Sequence, residues 1–168
     1  GAILYLPVQV PGALLWTGDS HAAQGNGEVN LTAIETAYKE FNITVTVLKD
    51  MKLDMPRIET PKSWITMGFD QDLNKAWNGV KEQTVKLLSA QRKISSGEAS
   101  ALMPKVSDCR VSQVVNIKKG IHCLSPKDTK GKEDMERPTK ETARYYVSHS
   151  RDADLNKAMD TASMGMIK

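Results

Sequence analysis

The run Ser63-Trp64-Ile65-Thr66-Met67-Gly68-Phe69-Asp70-Gln71-Asp72-Leu73-Asn74-Lys75-Ala76-Trp77 passes from strand to helix within a few residues. A strand is expected over 63–67, and Asp70 is placed to cap a helix. Beyond it Leu73, Ala76, Trp77, Val80, Thr84, Leu87 and Leu88 recur at helical spacing. They predict an amphipathic helix of about four to five turns, with Trp77, like Trp64, in the core. Ser95 and Glu98 have the spacing of a capping box, so a second helix is expected over about 96–103, ended or kinked by Pro104. Residues 111–117 and 121–124 are expected to pair as a hairpin across Lys118-Lys119-Gly120.

Working back from that run, the pattern is one of strands. Ala2, Leu4, Leu6, Val8 and Val10 alternate at period two, with Pro7 implying an edge or a bulge and Pro11-Gly12 a turn. A short strand is expected over 13–17. Residues 18–28 lack periodicity and hold Gly18, Gly25 and Gly27, which predicts a loop with special backbone angles. Strands follow at 29–37 and 41–49, where Ile43, Val45 and Val47 alternate with Thr44 and Thr46. Residues 50–62, with Pro56 and Pro61, read as a loop. The sum is a mixed α/β, β-rich chain.

The chain's 168 residues suit one compact domain, and 40% hydrophobic with 26% charged residues is globular rather than disordered composition. A formal net charge of +3, with no dense Lys/Arg stripe, argues against nucleic acid as a partner. No apolar run approaches the roughly 18 residues that span a bilayer, so a cytoplasmic protein is the default. Cys109 and Cys123 form no CxxC pair and are expected as two reduced, mostly buried thiols. The sequons at Asn30 and Asn42, with no signal peptide before them, read as incidental. Residues 127–142 are dominated by Lys, Asp, Glu, Arg and Thr and read as a charged linker. In the tail, 143–168, Asp154-Leu155-Asn156-Lys157-Ala158 repeats Asp72-Leu73-Asn74-Lys75-Ala76, a partial echo of 59–86. The start at Gly1 and the stop at Met166-Ile167-Lys168 suggest cut ends, and hence a fragment or a processed subunit.

Chemistry concentrates between residues 18 and 35, where Asp19, His21, Gln24, Glu28 and Glu35 fall close together. Hydrolysing an unactivated amide requires an activated water, a polarised carbonyl and a protonated leaving nitrogen. A metal held by carboxylate and imidazole supplies the first two, and a spare carboxylate moves the proton. The other reading of Asp19 and His21 is a polar turn whose side chains satisfy backbone groups.

The run Leu6-Pro7-Val8-Gln9-Val10-Pro11-Gly12-Ala13-Leu14-Leu15 is followed by Gly18-Asp19-Ser20-His21, Gln24-Gly25-Asn26-Gly27-Glu28 and Thr32-Ala33-Ile34-Glu35. Together they resemble the G-D-x-H-x-x-Q-G-D-G-E region of the acetamidase/formamidase family. Later blocks, among them Glu59-Thr60-Pro61, Asp72-Leu73 with Ala76, Asp108 to Val115 and Gly120-Ile121-His122, continue the likeness over about 1–127, as a C-terminal portion of the family's length. The resemblance implies hydrolysis of a short linear amide to ammonia and a carboxylate. It also implies sandwich- or barrel-like sheets with a few flanking helices, a homo-oligomer and a divalent metal, zinc first among the candidates. By the same resemblance Asp19 and His21 hold metal or orient water, Glu28 moves protons, and Gln24, Gly25 and Glu35 bind substrate. Three departures stand beside it: Asn26 where the family has Asp, Met103-Pro104-Lys105 in a stretch that is otherwise small and apolar, and no N-terminal half with its G-G-N segment. The expected partners are therefore a small amide and a chain carrying that half. The competing readings are a catalytically silent structural or metal-binding subunit of the same fold and, from the glycine loop alone, a sugar- or nucleotide-binding β module.

Overall fold

The computed structural model describes residues 1–127. The expected charged linker, apart from Lys127, and the tail with its repeat lie outside the described residues. Among the described residues, seven strands and two helices follow in the order β1 (Ile3–Tyr5), β2 (His21–Ala23), β3 (Ile34–Glu35), β4 (Arg57–Glu59), β5 (Ser63–Asp70), α1 (Leu73–Arg92), α2 (Ser96–Val106), β6 (Asp108–Gln113) and β7 (Lys119–Pro126). Among the described residues, five strands make an open antiparallel sheet in the order β1-β4-β5-β7-β6, and β2 and β3 make a small second sheet. The mixed, β-rich class is as expected, and the main sheet does not close into a barrel.

One face of the sheet packs on the helices. Ile121 and Cys123 of β7 join Ala76, Val80 and Leu88 of α1 and Ala99, Met103 and Val106 of α2 in one core cluster. Gly68 of β5 is required at the closest approach, because a Cβ there would lie 2.3 Å from the Val80 nitrogen and 2.4 Å from the Ala76 oxygen. Beside it, buried Thr66 and Thr84 satisfy each other across the sheet–helix contact at 2.6 Å, and Thr84 also donates to the Val80 carbonyl. Side chains alternate along a strand, so His122 falls on the face away from the helices, with its β6 partner Arg110.

The strand-to-helix switch sits two residues later than expected. β5 runs on to Asp70, and Asp72 caps α1 by accepting from the backbone N–H of Asn74 and Lys75 at 2.8 and 3.0 Å. Asp70 instead accepts from the Asp72 N–H at 2.9 Å, a bond that holds its carboxyl below the usual carboxylate range. Trp77 is 41% exposed, so it is not core, and Trp64 is half-buried against Tyr5 and under the Lys127 ammonium. The capping box forms as read, but α2 extends through Pro104 to Val106. A proline this close to a helix C-terminus removes only one late hydrogen bond. The hairpin also forms, with strands at 108–113 and 119–126 and a register shift between Val111 and Gln113.

Further expectations are corrected. Cys109 and Cys123, directly paired across β6 and β7, form a disulfide and are not reduced thiols. Of the expected strand at 2–10 only Ile3–Tyr5 pairs, since Pro7 has no N–H to continue a ladder. The runs at 13–17 and 41–49 form no strand, and 29–37 keeps only Ile34–Glu35. Ala13 and Leu14 adopt φ of 59° and 54°, outside the extended region, while Val45 and Val47 lie 63% and 71% exposed with no neighbouring strand among the described residues. Conversely, β2 lies inside the expected 18–28 loop and β4 inside the expected 50–62 loop.

Candidate functional site

The small sheet is what gathers the candidate residues. β2 pairs with β3 so that His21 stands opposite Glu35, with a register shift between His21 and Ala23. The Thr36 N–H donates to the Ser20 carbonyl at 3.0 Å, and the Tyr38 hydroxyl donates to the His21 carbonyl at 2.8 Å. Asp19 takes φ of 61°, a left-handed conformation that aspartate tolerates better than most residues, and this turns its carboxylate back toward His21. The His21 Nε2 lies 3.1 Å from Asp19 Oδ1 and 3.1 Å from Glu35 Oε1. One ligand atom from each of the three residues falls within 4.8 Å of the others.

This cluster is open on its acidic side: the Asp19 and Glu35 side chains are 82% and 74% exposed, against 19% for His21. Burial of the imidazole opposes its charge. The Glu35 and Asp19 carboxylates, with hydrogen bonds to Gln24 and Glu35, outweigh that and raise the His21 pKa above the ordinary imidazole value. Gln24 thus belongs to the cluster through His21.

Glu28 stands apart from it. Residues 25–28 form a turn closed by the Glu28 N–H on the Gly25 carbonyl at 3.3 Å, with Gly27 at φ of 91° in the position that demands glycine. A Cβ at Gly25 would meet nothing within 4 Å, so no packing among the described residues requires that glycine. Asn26 is exposed in the same turn. The turn docks along the outer edge of β6 and the residue just past it: Gly27 donates to the Ser112 carbonyl at 3.1 Å, and the Val114 N–H donates to the Gly27 carbonyl at 2.9 Å. Past the turn, the Asn116 amide donates to Glu28 Oε2 at 3.0 Å. Asn116 lies 88 residues from Glu28 in sequence, and no local signal points to it.

Comparison with known proteins gives this geometry its context. The model of the acetamidase/formamidase family matches residues 1–67, the part that contains Asp19, His21, Gln24, Glu28 and Glu35. The chain resembles the acetamidase/formamidase family. Its fold matches three solved relatives: an acetamidase from Yersinia enterocolitica, with TM-score 0.66 and 28% identity over 76% of this chain and 38% of that one; an acetamidase from Bacillus halodurans, with TM-score 0.65 and 30% identity over 75% and 42%; and a predicted acetamidase/formamidase from Thermoanaerobacter tengcongensis, with TM-score 0.64 and 28% identity over 75% and 42%. The described acetamidase/formamidase-like chain thus spans about two-fifths of the length of these relatives. No curated protein matches it.

Proposed function

We propose that this chain carries the metal-assisted site of an amidohydrolase that splits a short linear amide, of the formamide or acetamide type, into ammonia and a carboxylate. The observation that carries the reading is the convergence of Asp19, His21 and Glu35 within 4.8 Å, inside the stretch that matches an amidase family. The donor set fits a divalent ion such as zinc: one imidazole nitrogen and two carboxylate oxygens, exposed enough to leave a position for water or substrate. Asp19 and His21 would hold the ion, with Glu35 as the third ligand rather than only a substrate contact. A bound divalent ion supplies an acidified water and a polarised carbonyl. Gln24 hydrogen-bonds His21 and fixes the ring, and Glu28, at the far end of the same loop, carries the proton to the departing ammonia.

The same reading takes the working protein to be cytoplasmic and homo-oligomeric, completed by the part of the fold that the relatives carry beyond this chain. Eighteen of the twenty-one exposed large hydrophobic side chains among the described residues lie between Ile3 and Met51. Apolar surface of that extent belongs against another protein surface. A second reading, a catalytically silent subunit that binds metal, is favoured by one observation, the separation of Glu28 from the Asp19–His21–Glu35 group.

The test is ammonia release from formamide, acetamide and propionamide by the natively purified assembly, before and after chelation, with Asp19→Asn and Glu28→Gln alongside. Loss of activity on chelation and in both variants supports the hydrolase. Metal binding that needs Asp19 and His21, with no hydrolysis by an intact, metal-loaded assembly, would select the silent subunit.

A further inference from the structure

Glu28 is held from the other end of the described chain, and the manner of holding is specific. The residue takes φ of 39°, a region that L side chains with a Cβ avoid. The surrounding structure over-determines that conformation, with Gly27 bonded to Ser112 of β6 and to Val114 just beyond it, and the carboxylate itself engaged by Asn116. Asn116 sits in the connection between β6 and β7, which is braced in turn. Gln113 donates to the Lys118 carbonyl at 2.7 Å, and Lys119 donates to the Asn116 carbonyl at 3.1 Å. An amide N–H fixed against Oε2 makes the two carboxylate oxygens inequivalent: Oε2 is occupied, and Oε1 is left to exchange a proton.

We infer that Asn116 is a positioning residue for Glu28, fixing the carboxylate's orientation so that one oxygen serves as the proton carrier. The inference rests on the reading of Glu28 as that carrier. Asn116 touches no reacting atom; it acts by donating to Oε2. Removing the donor frees the carboxylate to rotate, and replacing it with a carboxylate sets two like charges against each other.

The experiment measures amide hydrolysis across pH by the natively purified assembly carrying Asn116→Ala, Asn116→Asp, Asn116→Gln or Glu28→Gln. Amide hydrogen exchange of Gly27 and Val114 checks that the turn remains docked. Asn116→Ala and Asn116→Asp are expected to lower kcat tenfold or more with KM little changed. In Asn116→Asp the acid limb of the pH–rate profile should move to higher pH, and Asn116→Gln should recover part of the rate. Wild-type rates and profiles in the Asn116 variants, beside an inactive Glu28→Gln, would overturn the proposal and leave the role of Glu28 standing. A fully active Glu28→Gln would end that role, and this proposal with it. A readout free of catalysis is the Asn116 side-chain amide in a 15N-labelled chain. It should exchange slowly with solvent and shift in Glu28→Gln, and free exchange with no shift would refute the contact in an active or an inactive assembly.

Discussion

At the scale of single residues, the two histidines of the described chain sit in opposite environments. His21 lies among carboxylates. His122 is buried on β7, accepts from or donates to the Ser112 hydroxyl at 2.7 Å, and is pushed below the ordinary imidazole pKa by burial, then by the Arg110 charge, with Asp108 opposing. Because the folded chain disfavours the charged ring, the unfolded chain binds the extra proton. The stability due to His122 is therefore full above its unfolded value of about 6.5 and is lost as pH falls through the lower folded value. Urea midpoints should drop between pH 7.5 and pH 5, and His122→Gln should flatten that dependence. Asp19→Asn and His21→Ala should each weaken zinc binding at least tenfold by titration calorimetry, and unchanged affinity would move the metal elsewhere. The proximity of Asp19 and His21 was legible because a single residue, Ser20, separates them, and one turn brings their side chains together. Glu35 was legible as a neighbour but not as the residue facing His21, since that pairing belongs to a small sheet with a register shift that no local pattern encodes. Asn116 was invisible for a plainer reason: its partner is 88 residues away.

At the scale of elements, the helices were the most legible part, because a periodic apolar stripe and a capping box are local properties. Ser95→Ala should cost about 1 kcal/mol by breaking the box that starts α2. Gly68→Ala should be far more damaging, about 3 kcal/mol, because the added methyl meets helix backbone rather than a side chain that can swing away. Denaturant midpoints of the two variants distinguish these cases. Strands were less legible because alternation shows that a segment fits a sheet, not that a partner is beside it. Ile43, Val45 and Val47 alternate and remain unpaired, whereas the three residues of β4, close to Pro56 and Pro61, pair on both sides. The cysteines illustrate the same limit: spacing excluded a CxxC motif but could not place the two thiols on directly opposed positions of β6 and β7. With the bridged positions 14 apart in sequence, reduction should lower stability by about 3 kcal/mol on the chain-entropy account. Unfolding with and without a dithiol, with thiol counting by mass spectrometry, checks this.

At the scale of the whole molecule, the described chain divides by burial. Its fully buried hydrophobic residues all come from Ile65 onward, while the region up to Met51 holds most of the exposed ones. No helix among the described residues is long and apolar enough to cross a membrane. Within the described residues, limited proteolysis should cut first within 1–55 and spare the stretch from Arg57 to Lys127, since segments with few buried contacts open first. Adding the companion surface should suppress those cuts. The cluster of Asp19, His21 and Glu35 belongs to the lightly anchored region, and this ties affinity to conformation. If the small sheet is assembled in only a fraction of molecules at any moment, the apparent dissociation constant for an ion is the intrinsic one divided by that fraction. Covering the apolar side chains around β2 and β3 would then sharpen metal binding without contributing a single ligand, and metal would in turn favour the covered form by the same factor.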